Sequence, residues 1–301
     1  MKIVYACDDN YSELTAISAV SLLKHNKNAE IILLGFKLKQ ESVEKVKKRV
    51  EENGGTFCYA DVSCAIDNLQ SAGANLYVSY AVYSRIFIAD VLTNVSGKIL
   101  YLDSDTLITD SIEDIFDIDM QGLPIALAPD AIHPAYKKVI SLLESQPYFN
   151  TGVALIDLDE WRKRNCTKRL VDEIHHPHGL NPLGDQDIIV RTLNDEILEL
   201  NRKWNFLSQY IMLRRKEVPA IYHFSGNTMG RPWYTSSRHP MRQQYQPAAI
   251  DANFPEFANQ KKNLPVEYRI QYCLFRILPN FLFRPICQLM LRIHIKITYK
   301  V

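Results

Sequence analysis

The chain has 301 residues, 47% of them hydrophobic, with Lys+Arg 35 against Asp+Glu 34 and a formal net charge of +1. At this length roughly three quarters of the unfolded surface can be buried, so neither disulfides nor a structural metal is needed as a staple. The balanced charge argues against a protein that coats nucleic acid, and 11 Gly with 14 Pro exclude collagenous or low-complexity sequence.

Through the first hundred residues, strand and helix patterns alternate. The apolar run 2–7 reads as a strand, and 13–25 as a helix with Leu14, Ile17, Ser18, Ser21 and Leu22 at helical spacing. A strand at 30–36, a charged helix at 42–52 ended by Gly54-Gly55, and a strand at 56–62 follow. A helix at 80–92 then leads into KILYL at 98–102. Strands separated by helices of this length imply right-handed βαβ units and a mainly parallel sheet, with ligands beyond the carboxyl ends of the strands. From Leu123 the rhythm loosens: strands at 125–129 and 152–158, helices at 161–175 and 185–193, short strands at 197–200 and 220–224. The expected organisation is a mixed α/β domain over 1–260 and a separate basic amphipathic segment over 261–301. The six cysteines show no CxxC pair and read as reduced and mostly buried. With no signal-peptide pattern and no run long enough to cross a bilayer, the expected location is cytoplasmic.

Four segments carry chemistry. The first strand ends in Cys7-Asp8-Asp9-Asn10, with no GxGxxG or P-loop. Carboxylates there would repel a phosphate but accept from a uracil N–H or ribose hydroxyls; capping of the next helix by Asp9 or Ser12 is the plainer account. The strand Leu100-Tyr101-Leu102 runs into Asp103-Ser104-Asp105. In an extended chain the two carboxylates point the same way, about 6.5–7 Å apart, and repel unless a cation is near. Hard oxygen ligands favour Mg²⁺ or Mn²⁺, and an ion held so would bridge a diphosphate. Tyr222-His223-Phe224-Ser225-Gly226 precedes Arg231-Pro232-Trp233. A neutral imidazole there can complete a metal shell, Gly226 lets backbone approach a phosphate, and Arg231 can neutralise a leaving group. Gly184-Asp185-Gln186-Asp187 opens a helix, where a favourable first turn explains the carboxylates but not Gln186.

Taken together the chain resembles family 8 of the retaining glycosyltransferases, which includes bacterial lipopolysaccharide α-galactosyl- and α-glucosyltransferases. Six motifs carry the resemblance in order: ACDDNY (6–11), YSRIFIADVL (83–92), KILYLDSDTLI (98–108), YFNTGVALIDLDEWR (148–162), GDQDII (184–189) and HFSG…RPW (223–233). It implies a GT-A type, Rossmann-like fold and a UDP-sugar donor. It also implies that Ala6, Asp8 and Asn10 hold the uridine, that Arg85 and Ser104 contact the donor, and that Asp103, Asp105 and His223 ligate Mn²⁺, with Mg²⁺ as a substitute. Asn150, Asp185 and Gln186 would line the transferred sugar, Gln186 and Asp185 being the catalytic candidates, with Gly226 and Arg231 at the diphosphate. Where bacterial members carry HxxGxxKPW, this chain is two residues longer between His223 and Arg231 and has Arg for Lys. The implied activity is Mn²⁺-dependent transfer of galactose or glucose, with retention, to an oligosaccharide or glycolipid acceptor in bacterial surface polysaccharide synthesis. Specificity for the sugar is expected to involve Asn150, Asp185 and the loop 71–83. A phosphohydrolase of the haloacid-dehalogenase type remains an alternative, although Leu107 stands where that family wants Thr or Val. A non-catalytic nucleotide-sugar-binding protein is another.

Residues 268–301 contain Arg269, Arg276, Arg284, Arg292, Lys296 and Lys300 and no acidic residue. Ile286, Leu289, Met290, Ile293 and Ile297 fall on one helical face, with Pro279 and Pro285 expected to break the segment. This pattern fits an interfacial helix pair on an anionic leaflet, placing the protein peripherally on the inner face of the membrane. Packing of the helix on the main domain is the competing account. Two further features admit functional readings, His175-His176-Pro177-His178 as metal ligands and Trp161, Trp204 and Trp233 as acceptor platforms, but exposure of such a histidine loop and buried packing of the tryptophans are the commoner roles.

Overall fold

The computed structural model describes residues 1–71, 80–226, 230–263 and 266–299. Ten strands form: β1 Lys2–Cys7, β2 Glu30–Gly35, β3 Thr56–Asp61, β4 Lys98–Leu102, β5 Thr106–Ile108, β6 Ile125–Pro129, β7 Phe149–Asp157, β8 Ile197–Glu199, β9 Phe206–Leu207 and β10 Ile221–His223. Seven make one sheet in the order β3-β2-β1-β4-β7-β6-β8. β3, β2, β1 and β4 run parallel, β7 is antiparallel to both of its neighbours, and β8 is parallel to β6. The sheet is thus mixed and mainly parallel, as expected.

Alternation along the strands divides the core. On β4, Ile99 and Tyr101 pack on one face with Val4, Ile32 and Leu34; Leu100 and Leu102 pack on the other with Ile3, Tyr5, Ile31 and Leu33. The second face is covered by the helices Ser12–His25 and Gln40–Glu52, the latter turning Val46 and Val50 inward. The first is covered by elements between Tyr80 and Val91 and by helices after β7.

Two helices differ from expectation. The stretch 161–175 is not continuous: Leu158–Lys163 and Cys166–His175 are separated at Asn165, whose φ of 52° is a left-handed conformation that Asn tolerates. The 80–92 helix is mostly a 3₁₀ helix, Tyr80–Phe87, followed by one α turn, Ile88–Val91. Only three cysteines are buried (Cys7, Cys166, Cys287), because Cys58 sits on the edge strand β3 and Cys64 and Cys273 lie on the exposed sides of helices.

A small second sheet, β5-β10-β9, was not expected as a sheet, although β10 falls within the strand expected at 220–224. β10 is antiparallel to β5 and pairs His223 with Thr106. Because only Asp103-Ser104-Asp105 separates β4 from β5, this register delivers His223 to that turn.

The C-terminal segment forms helices Val266–Ile277 and Asn280–Tyr299. Pro279 separates them, but Pro285 lies inside the second, near its start, and does not break it. Phe283 and Cys287 are buried against Met212, and Ile295 joins the main core. Arg214 donates to the carbonyls of Phe275 and Leu278, and Arg284 donates to that of Leu213 at 2.7 Å. Ile286, Leu289, Met290, Ile293 and Ile297 form the opposite, exposed face, with exposed Arg292 and Lys296 beside it. Among the described residues no helix is long and apolar enough to cross a membrane.

Candidate active site

The Asp103–Asp105 turn is held from below by hydroxyls on the helix Ser12–His25. Thr15 Oγ1 meets Ser104 Oγ at 2.7 Å, and Ser18 Oγ meets Thr106 Oγ1 at 2.7 Å, which in turn donates to Asp103 O at 2.8 Å. These hydroxyls are buried and paired, so they rigidify the turn instead of leaving polar groups unsatisfied.

β7 supplies backbone to the same place through an irregularity. Its register against β6 shifts between Leu127 and Ala128, which leaves Thr151, Gly152 and Val153 without a β6 partner, and Thr151 and Gly152 without a β4 partner as well. Thr151 O accepts from Arg85 Nη1 at 2.6 Å, and Gly152 O accepts from Asp103 N at 2.7 Å. A side chain at Gly152 would collide: an added Cβ lies 2.1 Å from His223 Cε1 and 2.6 Å from Asp103 Oδ2.

Asp103, Asp105 and His223 converge, with one ligand atom from each lying within 4.8 Å of the others. His223 Nε2 is 3.1 Å from Asp105 Oδ1 and 3.6 Å from Asp103 Oδ2. Asp103 Oδ1 is tied up by Arg85 Nη2 at 2.8 Å and by the Tyr101 hydroxyl at 2.9 Å, which leaves Oδ2 facing the imidazole. Asp105 Oδ2 accepts from Arg231. Burial alone would raise the Asp105 pKa, but His223 and Arg231 hold it well below the carboxylate range. Burial opposes a charge on His223, yet Asp105 and then Asp103 pull its pKa above the ordinary value. Two carboxylates and one imidazole at this spacing fit a hard to borderline divalent ion such as Mn²⁺ or Mg²⁺.

Arg85, 5% exposed, sits between Asp103 and Asp185, its Nε 2.7 Å from Asp185 Oδ2 and its guanidinium 4.5 Å from the centre of the Tyr101 ring. Its Nε also donates to Val82 O at 3.2 Å, three residues back along the 3₁₀ turn. Burial disfavours the charge, but Asp103 and Asp185 outweigh it and keep the group protonated. Asp185 itself is pushed up to about 7 by burial, against the opposing pull of Arg85.

The helix Asp185–Leu193 starts after Gly184, whose φ of 65° and ψ of −126° suit glycine. Its first turn aims Gln186 at Asn150 on β7. Gln186 Oε1 accepts from Asn150 Nδ2 at 3.0 Å, and its Nε2 donates to Asp130 Oδ2 at 3.1 Å and to the Tyr148 hydroxyl at 2.9 Å. Tyr148 donates onward to Asp187 at 2.6 Å. Burial raises the Asp130 pKa, with Asn150 and Gln186 working against it.

A cleft beside these groups is lined by Ala6, Asp8, Tyr11, Arg85, Tyr101, Asp103, Ser104 and Asp105. Asp8 caps the short turn after β1, its carboxylate accepting from Asn10 N at 3.0 Å, while Asn10 is exposed and outside the lining. Asp9 instead accepts from Lys39 N at 3.0 Å. Gly226, at φ 66°, lies three residues beyond the end of β10 at His223; residues 227–229 of the lengthened loop lie outside the described residues, as does most of the 71–83 loop. Tyr101, Asp130, Tyr148 and Gly152 were not singled out in the sequence, nor was Asn205, whose Nδ2 lies 2.8 Å from Asn150 Oδ1; within the quoted 148–162 motif Tyr148 and Gly152 were legible as letters but not as contacts.

Other candidates fall away. Trp161, Trp204 and Trp233 are 2%, 4% and 4% exposed and serve as packing, not platforms. His178 Nδ1 pairs with Glu173 at 2.5 Å, and among the described residues the only metal-competent group is Asp103, Asp105 and His223.

A family model for glycosyl transferase family 8 matches residues 2–236. General stress protein A of Bacillus subtilis (strain 168) is 30% identical over 268 residues, covering 81% of this chain and 91% of that protein. The lipopolysaccharide 1,2-glucosyltransferase of Escherichia coli (strain K12) is 22% identical over 289 residues, or 90% of this chain and 84% of that protein. The crystal structure of the galactosyltransferase LgtC with donor and acceptor sugar analogues aligns at a TM-score of 0.70 and 23% identity, over 90% of this chain and 100% of that one. That last likeness is one of fold.

Proposed function

The chain belongs to glycosyltransferase family 8, and from that premise we propose that it moves galactose or glucose from a UDP-sugar to a hydroxyl of an oligosaccharide or glycolipid acceptor, with retention and Mn²⁺ dependence. The observation that carries this reading is the convergence of Asp103, Asp105 and His223 at the edge of a cleft walled by Ala6 and Asp8. Asp8 accepts hydrogen bonds from the uridine, and Ala6 leaves room for its ring. Asn10 assists from the rim. Mn²⁺, or Mg²⁺ in its place, supplies Lewis-acid stabilisation of the departing UDP diphosphate when bound by the three side chains. Arg231, already against Asp105, and the backbone at Gly226 add positive potential and close approach on the same side. Ser104 closes the floor, and Arg85 fixes Asp103 in place.

At the sugar end, Asn150, Asp185 and Gln186 face the transferred hexose. Retention by double displacement needs a nucleophile beneath the anomeric carbon. The Gln186 amide is a poor one, since both its oxygen and its nitrogen are engaged in hydrogen bonds. The Asp185 carboxylate is drawn toward Arg85. This supports attack from the face the UDP leaves, with the Gln186 oxygen stabilising positive charge on the sugar. The acceptor belongs to bacterial surface polysaccharide, and the exposed apolar and basic face at 286–297 rests peripherally on an anionic inner leaflet, with residues 1–260 as the catalytic domain and 261–301 as the attachment segment. The test is UDP release from a panel of UDP-sugars with Mn²⁺, with and without EDTA. EDTA-sensitive release from one sugar supports the reading; no release from any, with metal-dependent cleavage of a phosphomonoester, overturns it in favour of a phosphohydrolase.

A further inference from the structure

Gly152 N donates to Asn150 Oδ1 at 3.0 Å. A backbone N–H can only donate, so this contact marks the oxygen end of the Asn150 amide. Asn150 Nδ2 therefore faces Gln186 Oε1 and Asp130 Oδ2, each at 3.0 Å. Asn205, which meets Asn150 Oδ1 at 2.8 Å, must present its Nδ2 there. Its own Oδ1 then faces His223 Nδ1 at 3.0 Å, where it can only accept. The imidazole is thus held with a proton on Nδ1, and Nε2 is the nitrogen turned toward the two carboxylates. Asn205 is 0% exposed, and a polar side chain that deeply buried is costly unless its hydrogen bonds are made.

We propose that Asn205 is a positioning residue joining the metal-binding imidazole and the sugar-facing amides into one directional hydrogen-bonded unit. This rests on the metal and donor roles proposed above. Left without Asn205, the imidazole is free to place its proton on Nε2, facing Asp105, a tautomer that cannot ligate a cation through that nitrogen. Asn150 loses a donor on the same oxygen that Gly152 marks, and its hold on Gln186 loosens. A ligand-orienting hydrogen bond of this kind is typically worth 10–100-fold in metal affinity or activity.

Two variants separate the halves of the unit. Asn205→Asp keeps an acceptor for Nδ1–H but sets oxygen against oxygen at Asn150. Asn205→Ala removes both contacts. Mn²⁺ binding to nucleotide-free protein is measured by electron paramagnetic resonance, UDP release from the UDP-sugar that the unaltered protein hydrolyses is measured as kcat and KM, and thermal melts monitor folding. For Asn205→Asp the expected result is Mn²⁺ affinity within about threefold of the unaltered protein, with kcat lowered by about tenfold or more and KM changed less. For Asn205→Ala, Mn²⁺ affinity and kcat both fall by about 10–100-fold. Unchanged binding and turnover in both variants overturns the proposal and leaves the transferase reading standing. Equal loss of Mn²⁺ binding in both, in step with lowered melting temperatures, reduces Asn205 to packing and also overturns it. Failure of the unaltered protein to bind Mn²⁺ or release UDP overturns the transferase reading, and this inference with it.

Discussion

His223 Nε2 lies 3.1 Å from Asp105 Oδ1 because β10 pairs antiparallel to β5 in a register that sets His223 opposite Thr106. The Asp103–Asp105 turn ends where β5 begins, so three hydrogen-bonded residues of a two-sheet junction locate the whole candidate metal centre. Gly152 packs against that junction with no room for a side chain.

Gly152→Ala accordingly displaces either the His223 ring or the Asp103 carboxylate. Overpacking of this kind costs about 1–3 kcal/mol, and because the strain falls on the ligands, Mn²⁺ affinity is expected to drop by about tenfold to a hundredfold. Titration calorimetry with Mn²⁺ checks this. Unchanged affinity means the site does not need the close approach of β7.

Buried Arg85 bridges the buried Asp185 and the partly exposed Asp103. Arg85→Met leaves two carboxylates without their partner, and removal of one member of a buried ion pair typically costs about 3–5 kcal/mol. Denaturant unfolding at pH 7 measures the loss. Because burial already pushes Asp185 up to about 7, adding Asp185→Asn to Arg85→Met recovers part of the stability. A purely additive double variant contradicts the bridging role.

Much of the candidate site was legible because it clusters at strand ends. The i, i+2 spacing of Asp103 and Asp105 after an apolar strand suggested a cation without any structure, and family motifs supplied His223, Asn150 and Gln186. Asn205 was not legible: it follows a 3₁₀ turn, Arg202–Trp204, and precedes the two-residue strand β9, elements too short to leave a periodic signal. Asp130 and Tyr148 depend on the β6–β7 register shift, which no local pattern announces. The left-handed break at Asn165 did leave a trace that was passed over: buried Trp161 and Cys166 are five residues apart, where one continuous helix face would space them by three or four.

His239 provides a pH signature of the fold. Burial lowers its pKa to about 3, with Arg231 adding to the shift, and its Nδ1 accepts from Met241 N at 3.2 Å. The unfolded chain takes up a proton near the ordinary histidine value of about 6.5 whereas the folded form does not. The stabilising contribution is therefore complete above about pH 6.5 and is lost as pH falls toward 3, at up to about 1.4 kcal/mol per unit. Between pH 7 and 5 His239→Asn is expected to lose about 2 kcal/mol less stability than the unaltered protein, measured by urea unfolding. Parallel pH profiles for the two proteins contradict this assignment.

The attachment surface proposed for the C-terminal helix is its exposed face, opposite the one that packs Phe283, Cys287 and Ile295. Replacing Ile286, Leu289, Ile293 and Ile297 together with Ser is expected to lower binding to phosphatidylglycerol-containing vesicles by at least about tenfold, since each large apolar side chain contributes up to about 1.5–3 kcal/mol on leaving water. UDP release from the donor alone stays unchanged. Sedimentation with vesicles that is unaffected by the four substitutions rules out this face as the attachment surface.

Asp103, Asp105 and His223 are expected to hold a divalent cation against the diphosphate of a UDP-sugar. Pulsed electron paramagnetic resonance of bound Mn²⁺ tests this most directly, by detecting nuclei coupled to the ion. The expected result is a ¹⁴N coupling that disappears in His223→Gln, and a ³¹P coupling that appears when UDP is added. Mn²⁺ that binds with neither coupling, or a ¹⁴N signal that survives in His223→Gln, contradicts it.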